Sequence, residues 1–91
     1  MKITHTVPRA GTADYTMIPN AIIEDHRPSG SARGLLIYLL CIDEGEEVDL
    51  STMRPDLEDE TVEESLIALE HFGYISRDGD TITTFRDGGA A

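Results

Sequence analysis

Carboxylate side chains at helical spacing are the chemical feature that stands out in this sequence. Residues 58–71 read EDETVEESLIALEH, and six of these fourteen residues are acidic. Carboxylates pair with ammonium and guanidinium groups and repel phosphates. The segment therefore predicts a surface that attracts cations or basic proteins and that disfavours contact with a polyanion.

Apolar residues in the same segment predict a helix that buries one side only. Val62, Leu66 and Leu69 recur at i, i+4 and i+7, which forms one core-facing stripe. At about 100° per residue, Ile67 falls on the opposite side among the acidic residues. An apolar residue ringed by charges is typical of an anchor in a protein interface, although lone exposed apolar residues are also ordinary. The candidate partner-binding residues are Glu58, Asp59, Glu60, Glu63, Glu64, Ile67, Glu70 and His71.

The negative charge is concentrated in one half of the chain. Residues 43–91 hold 15 of the 18 acidic residues and three of the seven basic ones, a net charge of −12, whereas residues 1–42 carry +1. A chain of 91 residues suits one small domain. The asymmetric charge favours a basic partner, and a purely solubilising face is the alternative interpretation.

The sequence contains no recognisable constellation for catalysis, metal binding or cofactor binding. Cys41 lies in the apolar run 35–42, which predicts a buried thiol, and as the only cysteine it has no partner for an internal disulfide. The three histidines lack ligand spacing, and residues 43–49 lack the alternating Asp and Asn of a calcium loop. Gly30 and Gly34 lack the lysine of a phosphate-binding loop. We expect no enzymatic activity, no metal and no cofactor.

A reducing cytoplasm is the expected location of the protein. Lone cysteines are compatible with that compartment, and the first residues contain no apolar core of a signal peptide. The longest apolar run, residues 35–42, is too short to cross a bilayer, so we expect no membrane contact.

The order of predicted elements places the acidic helix between a central helix and a hairpin. Gly73 ends the acidic helix, and Asp56 or Asp59 is its expected N-cap. The turn 78–80, with sequence DGD, predicts a hairpin because Asp-Gly tolerates positive φ. The other predicted elements are a strand at 2–7, a second strand at 15–18, short helices at 20–25 and 51–54, a central helix at 32–42 that is apolar nearly all round and capped by Ser31, and hairpin strands at 74–77 and 81–85.

This order is typical of an α+β winged helix-turn-helix. Such a fold has three to four helices and a C-terminal β-hairpin wing, here with an added N-terminal strand. The predicted division is an N-terminal strand or arm over residues 1–14, the winged helix-turn-helix domain over 15–86, and a disordered tail over 87–91.

Several segments resemble the helix-turn-helix domains of phage and plasmid replication-initiator-like proteins. The resemblance covers residues 15–84 and rests on YTMIPNAII at 15–23, SARGLLIYLL at 31–40, and Thr61-Val62 with Leu66, Leu69, Gly73, Tyr74 and Ile75. It implies that the final helix lies in the DNA major groove with the wing alongside. Family members usually carry Ser, Arg, Lys or Thr at the DNA-facing positions, and a small residue and Gly where this chain has Arg54-Pro55-Asp56. The implied DNA-facing positions are Glu58, Asp59, Glu60, Glu63, Glu64, Ile67, Asp78 and Asp80.

The sign of the charge separates two functional hypotheses. DNA affinity comes largely from cations that displace counterions, with about −0.9 of salt slope for each neutralised phosphate. We therefore favour a non-enzymatic regulatory protein whose acidic final helix binds a basic protein partner, either as a DNA mimic or as an adaptor. That partner would be a nucleic-acid-binding protein or a transcription or replication component.

The alternative hypothesis is a sequence-specific DNA-binding regulator of transcription or replication. A structural subunit of a larger assembly is a third class, and the sequence is compatible with a monomer and with a homodimer. Under the DNA-binding alternative, the candidate phosphate contacts are Lys2, Arg9, Arg27, Arg33 and Arg54.

Overall fold

Helices and a three-stranded sheet enclose one core in the part of the chain that the computed structural model describes, residues 1–6, 15–50 and 61–85. The expected α+β class is confirmed by the three helices and three strands of these residues. In chain order they are β1 (Lys2–His5), α1 (Asn20–Glu24), α2 (Gly30–Leu40), α3 (Val62–His71), β2 (Ile75–Asp78) and β3 (Thr81–Thr84).

The sheet has the order β1-β3-β2, so β3 has a hydrogen-bonded neighbour on each side. β2 and β3 form the predicted antiparallel hairpin, whereas β1 runs parallel to β3 with Lys2 opposite Thr81. The predicted strand at 15–18 is not among these strands, and Tyr15 and Met17 in it are each 59% exposed. Within this segment only Thr16 takes part in a β-bridge, so residues 15–18 do not form a strand of the sheet.

A two-residue loop, Gly79-Asp80, closes the hairpin between paired Asp78 and Thr81. Gly79 has a φ of +58°, and no described residue other than glycine has a positive φ. A positive φ at only the first loop position is the pattern of a type II′ turn, which matches the right-handed twist of the flanking strands. Glycine is favoured at this position because it adopts that backbone conformation without steric cost.

Ser29, and not Ser31 as predicted, caps α2. The Ser29 hydroxyl accepts a hydrogen bond from the Ala32 amide at 3.0 Å, and Ser29 itself has extended backbone angles. The prediction was wrong because the helix already begins at Gly30, which places Ser31 inside the first turn.

Only one side of α2 is buried, although its sequence is apolar nearly all round. Gly34, Tyr38 and Cys41 lie three or four residues apart, share the outer side of the helix and are exposed. Cys41 is the C-cap residue of α2, and its thiol is therefore not the buried group that the apolar run predicted. The buried residues of α2 are Ala32, Leu35, Leu36, Leu39 and Leu40.

Thr61 and Glu64 form a capping box at the start of α3. The Thr61 hydroxyl accepts from the Glu64 amide at 3.1 Å, and the Glu64 carboxylate accepts from the Thr61 amide at 3.1 Å. The helix thus begins after Asp59, and Thr61 is its N-cap in place of the predicted aspartates. Asp56 and Asp59 lie outside the described residues, as does the short helix predicted at 51–54.

Gly73 ends α3 as predicted. Its φ is +81°, its amide donates to the carbonyl of Glu70 at 3.1 Å, and the Tyr74 amide donates to the carbonyl of Leu69 at 2.9 Å. These two bonds form a Schellman motif, in which a left-handed residue satisfies the last helical carbonyls. The chain consequently turns back directly from α3 into β2.

The core lies between the inner sides of the helices and the sheet. Side chains from all six elements form one buried apolar cluster, and several have almost no exposed surface. Leu69 is fully buried, which places the inner side of α3 at the centre of that cluster. The largest fully buried apolar side chains are Ile3, Ile22, Leu36, Leu39, Leu69, Ile75 and Ile82.

Replacement of Leu69 by alanine should lower the free energy of unfolding by about 2–5 kcal/mol, because it removes buried methyl groups and leaves a cavity. Urea denaturation followed by circular dichroism measures the change. Ile67→Ala is the control on the outer side of the same helix and should change the free energy by less than about 0.5 kcal/mol. Equal losses for the two variants would contradict the orientation of α3.

Candidate protein-binding surface on the acidic helix

The outer side of α3 displays one large apolar side chain among polar ones. Ile67 is 53% exposed, whereas Leu66 and Leu69 face the core at 3% and 0%. The outward orientation predicted for Ile67 is therefore observed. The helical positions nearest to Ile67, three and four residues away on either side, are the exposed residues Glu63, Glu64, Glu70 and His71.

Three of the predicted site residues, Glu58, Asp59 and Glu60, lie outside the described residues and precede the first residue of α3. Glu64 has a structural role in addition to its charge, because one of its carboxylate oxygens belongs to the capping box. His71 contacts the Phe72 ring edge-on, with 4.9 Å between ring centroids. We define the acidic surface by its described members, Glu63, Glu64, Ile67, Glu70 and His71.

Arg77 of β2 bridges two carboxylates of the acidic surface. Its Nε donates to Glu70 Oε1 at 2.9 Å, and its Nη1 lies 3.0 Å from Glu63 Oε2 and 3.1 Å from Oε1. Burial lowers the pKa of Arg77, but its hydrogen bonds to Glu63 and Glu70 raise it by more, so the pKa lies above its ordinary value. The guanidinium therefore remains charged and holds both carboxylates in place.

This bridge reduces the net charge of the acidic surface and restrains its side chains, but it contributes little to the stability of the fold. The three glutamates of the acidic surface and Arg77 together carry a net charge of −2. The Glu63 and Glu70 side chains are 61% and 37% exposed, and ion pairs at such exposure contribute only about 0–1 kcal/mol. The sequence gives no local sign of this contact, because Arg77 lies on the hairpin and meets α3 only after the chain reverses at Gly73.

A second polar contact fixes the C-terminal end of α3 to the connection between α1 and α2. The Tyr74 hydroxyl donates to Asp25 Oδ2 at 2.6 Å, and Arg27 donates to both Asp25 oxygens at 2.9 and 2.7 Å. The Arg27 guanidinium also lies 5.1 Å from the centroid of the Phe72 ring. This contact joins segments that are 49 residues apart in sequence and holds the end of the acidic helix.

The same contact shifts the ionisation of its members. Hydrogen bonds from Arg27, and then from Tyr74, hold the pKa of Asp25 well below its ordinary value of 3.8. Burial raises the pKa of Tyr74, and its hydrogen bond to the Asp25 carboxylate raises it further. Asp25 is therefore a carboxylate at neutral pH, paired with a cation and with a hydroxyl donor.

Three of the cations predicted as phosphate contacts, Lys2, Arg27 and Arg33, lie among the described residues, and each has different neighbours. Arg27 is engaged with Asp25, and Arg33 Nη1 donates to the carbonyl of Ile23 at 2.9 Å. Lys2 is exposed and pairs with Thr81 at the turn end of the sheet, away from the end that Tyr74 and Arg27 occupy. Arg9 and Arg54 lie outside the described residues.

His5 connects β1 to the core and to the loop after α2. Its Nε2 lies 2.6 Å from the carbonyl oxygen of Ile42, and its Nδ1 lies 2.6 Å from the Thr84 hydroxyl. Because a carbonyl only accepts, Nε2 carries the proton and Nδ1 accepts from Thr84 in the neutral ring. Residues 1–6, 15–50 and 61–85 contain no group of three or more His, Cys, Asp or Glu side chains arranged to hold a metal ion.

Comparisons with known proteins return no match, since no protein-family model, curated protein or solved structure matches this chain. Within the described residues, no helix has the length and apolar character needed to cross a membrane. Function is therefore inferred from the side chains of the acidic surface and from Arg77, which orders them.

Acid should remove the stability that Asp25 contributes. Since its folded-state pKa is depressed, this contribution is fully present above its ordinary pKa of 3.8 and is lost as the pH falls towards the folded-state pKa. The difference in unfolding free energy between wild type and Asp25→Asn should be constant above about pH 5 and should shrink below about pH 4. Urea denaturation across this range measures it. Asp78→Asn is the exposed control, and a difference that persists in acid would contradict the assignment.

Proposed function

We propose that this chain is a non-enzymatic regulatory protein that binds a basic protein partner through the acidic surface of α3. One observation carries the proposal: Ile67 is 53% exposed and is surrounded by three glutamates and His71. A partner that fits presents an apolar side chain or pocket to Ile67, flanked by Lys or Arg side chains. Nucleic-acid-binding proteins and transcription or replication components contain such basic surfaces.

The two kinds of side chain have different roles in this binding. Complete burial of an exposed isoleucine is favourable by about 1.5–3 kcal/mol, and about half of this remains available at Ile67. The carboxylates speed association with a cationic surface and reject acidic competitors, while adding less net affinity because they must lose water. Ile67 thus supplies affinity, and the surrounding charges supply selectivity.

The bridging contact of Arg77 supports a form of this function in which α3 imitates nucleic acid. Glu63 and Glu70 are already held in defined positions by Arg77, so a partner does not have to order both side chains on binding. Fixed negative groups on a convex helix resemble the phosphates that a basic groove accepts. In the adaptor form, the partner instead uses a surface that does not bind DNA.

We further propose a winged helix-turn-helix fold in which β2 and β3 are the wing. The support is the order of α2, α3 and hairpin, together with the resemblance to replication-initiator-like domains. The parallel strand β1 extends the wing on the β3 side. We place the protein in the cytoplasm, because Cys41 is an exposed free thiol and a reducing compartment preserves it.

Loss of the acidic surface should strongly weaken capture of a basic partner. The test variant, Glu63→Gln/Glu64→Gln/Glu70→Gln, removes the charges, and a glutamine side chain in place of Glu64 retains the capping-box geometry. We expect at least about tenfold weaker capture for this variant and separately for Ile67→Ala, measured by affinity capture with quantitative mass spectrometry. The matched control neutralises three exposed acidic residues elsewhere, Glu24, Glu46 and Asp78. Equal capture by test and control variants would reject this surface as the interface.

Duplex DNA should not bind tightly to the wild-type protein even at low salt. A gel-shift experiment with random and genomic duplexes at about 50 mM salt checks this, because cation-driven DNA binding is strongest there. A shift that weakens steeply with added salt would support the DNA-binding alternative. Once a partner is captured, competition between DNA and this protein for the partner indicates mimicry, and simultaneous binding indicates an adaptor.

A further inference from the structure

The outer side of α2 is free of acidic residues, although the chain is strongly acidic. Charged residues make up 27% of the sequence and the net charge is −11, yet the only charged residue of α2 is Arg33, which borders this side and donates to the carbonyl of Ile23. Tyr38 is 44% exposed, and no described helix, strand or loop covers it. We define the α2 surface by the residues that share this side: Gly30, Gly34, Ile37, Tyr38 and Cys41.

Gly34 has no evident role within a single copy of the chain. It lies in the middle of α2, where glycine is less favourable than alanine because it has more backbone freedom to lose. Its φ is not positive, and a Cβ built on it would have nothing within 4 Å. Neither the backbone conformation nor the neighbouring atoms therefore require glycine at this position. The absence of a side chain does, however, permit another backbone to approach α2 closely.

Apolar side chains border this point of close approach. Ile37 and Tyr38 stand on either side of a shallow floor formed by Gly34 and Cys41, as their angles around the helix require. α1 continues the surface, because Arg33 Nη1 donates to the carbonyl of Ile23 and Ile23 is itself 48% exposed.

We propose that the α2 surface is a homodimer interface, in which two copies pack α2 against α2 about a twofold axis near Gly34. In this arrangement, Tyr38 of one copy occupies the floor beside Gly34 of the other. A twofold interface uses the same surface on both copies, and an uncharged surface that carries both a small floor and a large aromatic residue is self-complementary.

The distribution of charge favours a second copy over a different partner. Two chains of net charge −11 repel each other, so they associate best where acidic residues are absent. The described acidic residues all lie outside α2: Glu24 and Asp25 are at the end of α1, and the others are in the loop 43–49, on α3 and in the hairpin. α3 contacts α2 on its buried side, so pairing of the α2 surfaces directs both acidic surfaces away from the contact. A basic partner, by contrast, finds its complement on α3.

Analytical ultracentrifugation of the full chain over a range of concentrations tests the proposal. We expect a concentration-dependent dimer for wild type, and a dissociation constant raised by about tenfold or more in Gly34→Ala and in Tyr38→Glu. Gly34→Ala should at the same time leave the melting temperature of the dilute protein unchanged or higher, because alanine favours the helix. Weaker dimerisation together with an unchanged or higher melting temperature would show that the variant has lost the interface and has kept the fold.

Ile67→Glu on α3 is the control and should leave dimerisation unchanged. The proposed dimer and the proposed binding of a basic partner can therefore be contradicted independently. A monomer at every concentration would overturn the proposal. If the α2 surface of such a monomer is protected from hydrogen exchange, another part of the same chain covers it, and the proposal is again overturned. A dimer that persists in both α2 variants, or that is lost in Ile67→Glu, would also overturn it.

Discussion

Leu66 and Leu69 anchor α3 against the core, and the position of the acidic surface follows from this contact. A helix has about 3.6 residues per turn, so burial of one stripe fixes the direction of every other side chain. Ile67 is consequently outward, and its acidic neighbours are outward with it. The capping box at Thr61 and the left-handed residue Gly73 set the two ends of α3, so that neither its rotation nor its length is free.

Local patterns in the sequence predicted the elements whose physics is local. The periodicity of α3, its end at Gly73 and the hairpin turn all depend on residues within a few positions of each other, and all were predicted correctly. Thr61 and Glu64 are a local signature too, but Asp56 and Asp59 are of a residue type that also favours the N-cap position. The prediction of a buried Cys41 was wrong because it rested on the apolar composition of residues 35–42, whereas the angle of Cys41 around the helix places it on the exposed side.

Contacts between residues far apart in sequence could not be predicted from local sequence patterns. The parallel pairing of β1 with β3, the bridge from Arg77 to the acidic helix and the bond from Tyr74 to Asp25 each join different elements. The bridge from Arg77 offsets part of the negative charge of α3 and holds the carboxylates of Glu63 and Glu70 in place.

β3 depends on β1, from the far end of the chain, for its second neighbour in the sheet. Lys2 and Thr81 meet only after a very long loop has closed, which slows formation of this pairing relative to the adjacent hairpin. Whenever β1 detaches, β3 presents a row of unpaired amide and carbonyl groups beside Ile82. Such an open edge is a template for strand addition, so the start of the chain protects the sheet from exchange of strands between molecules.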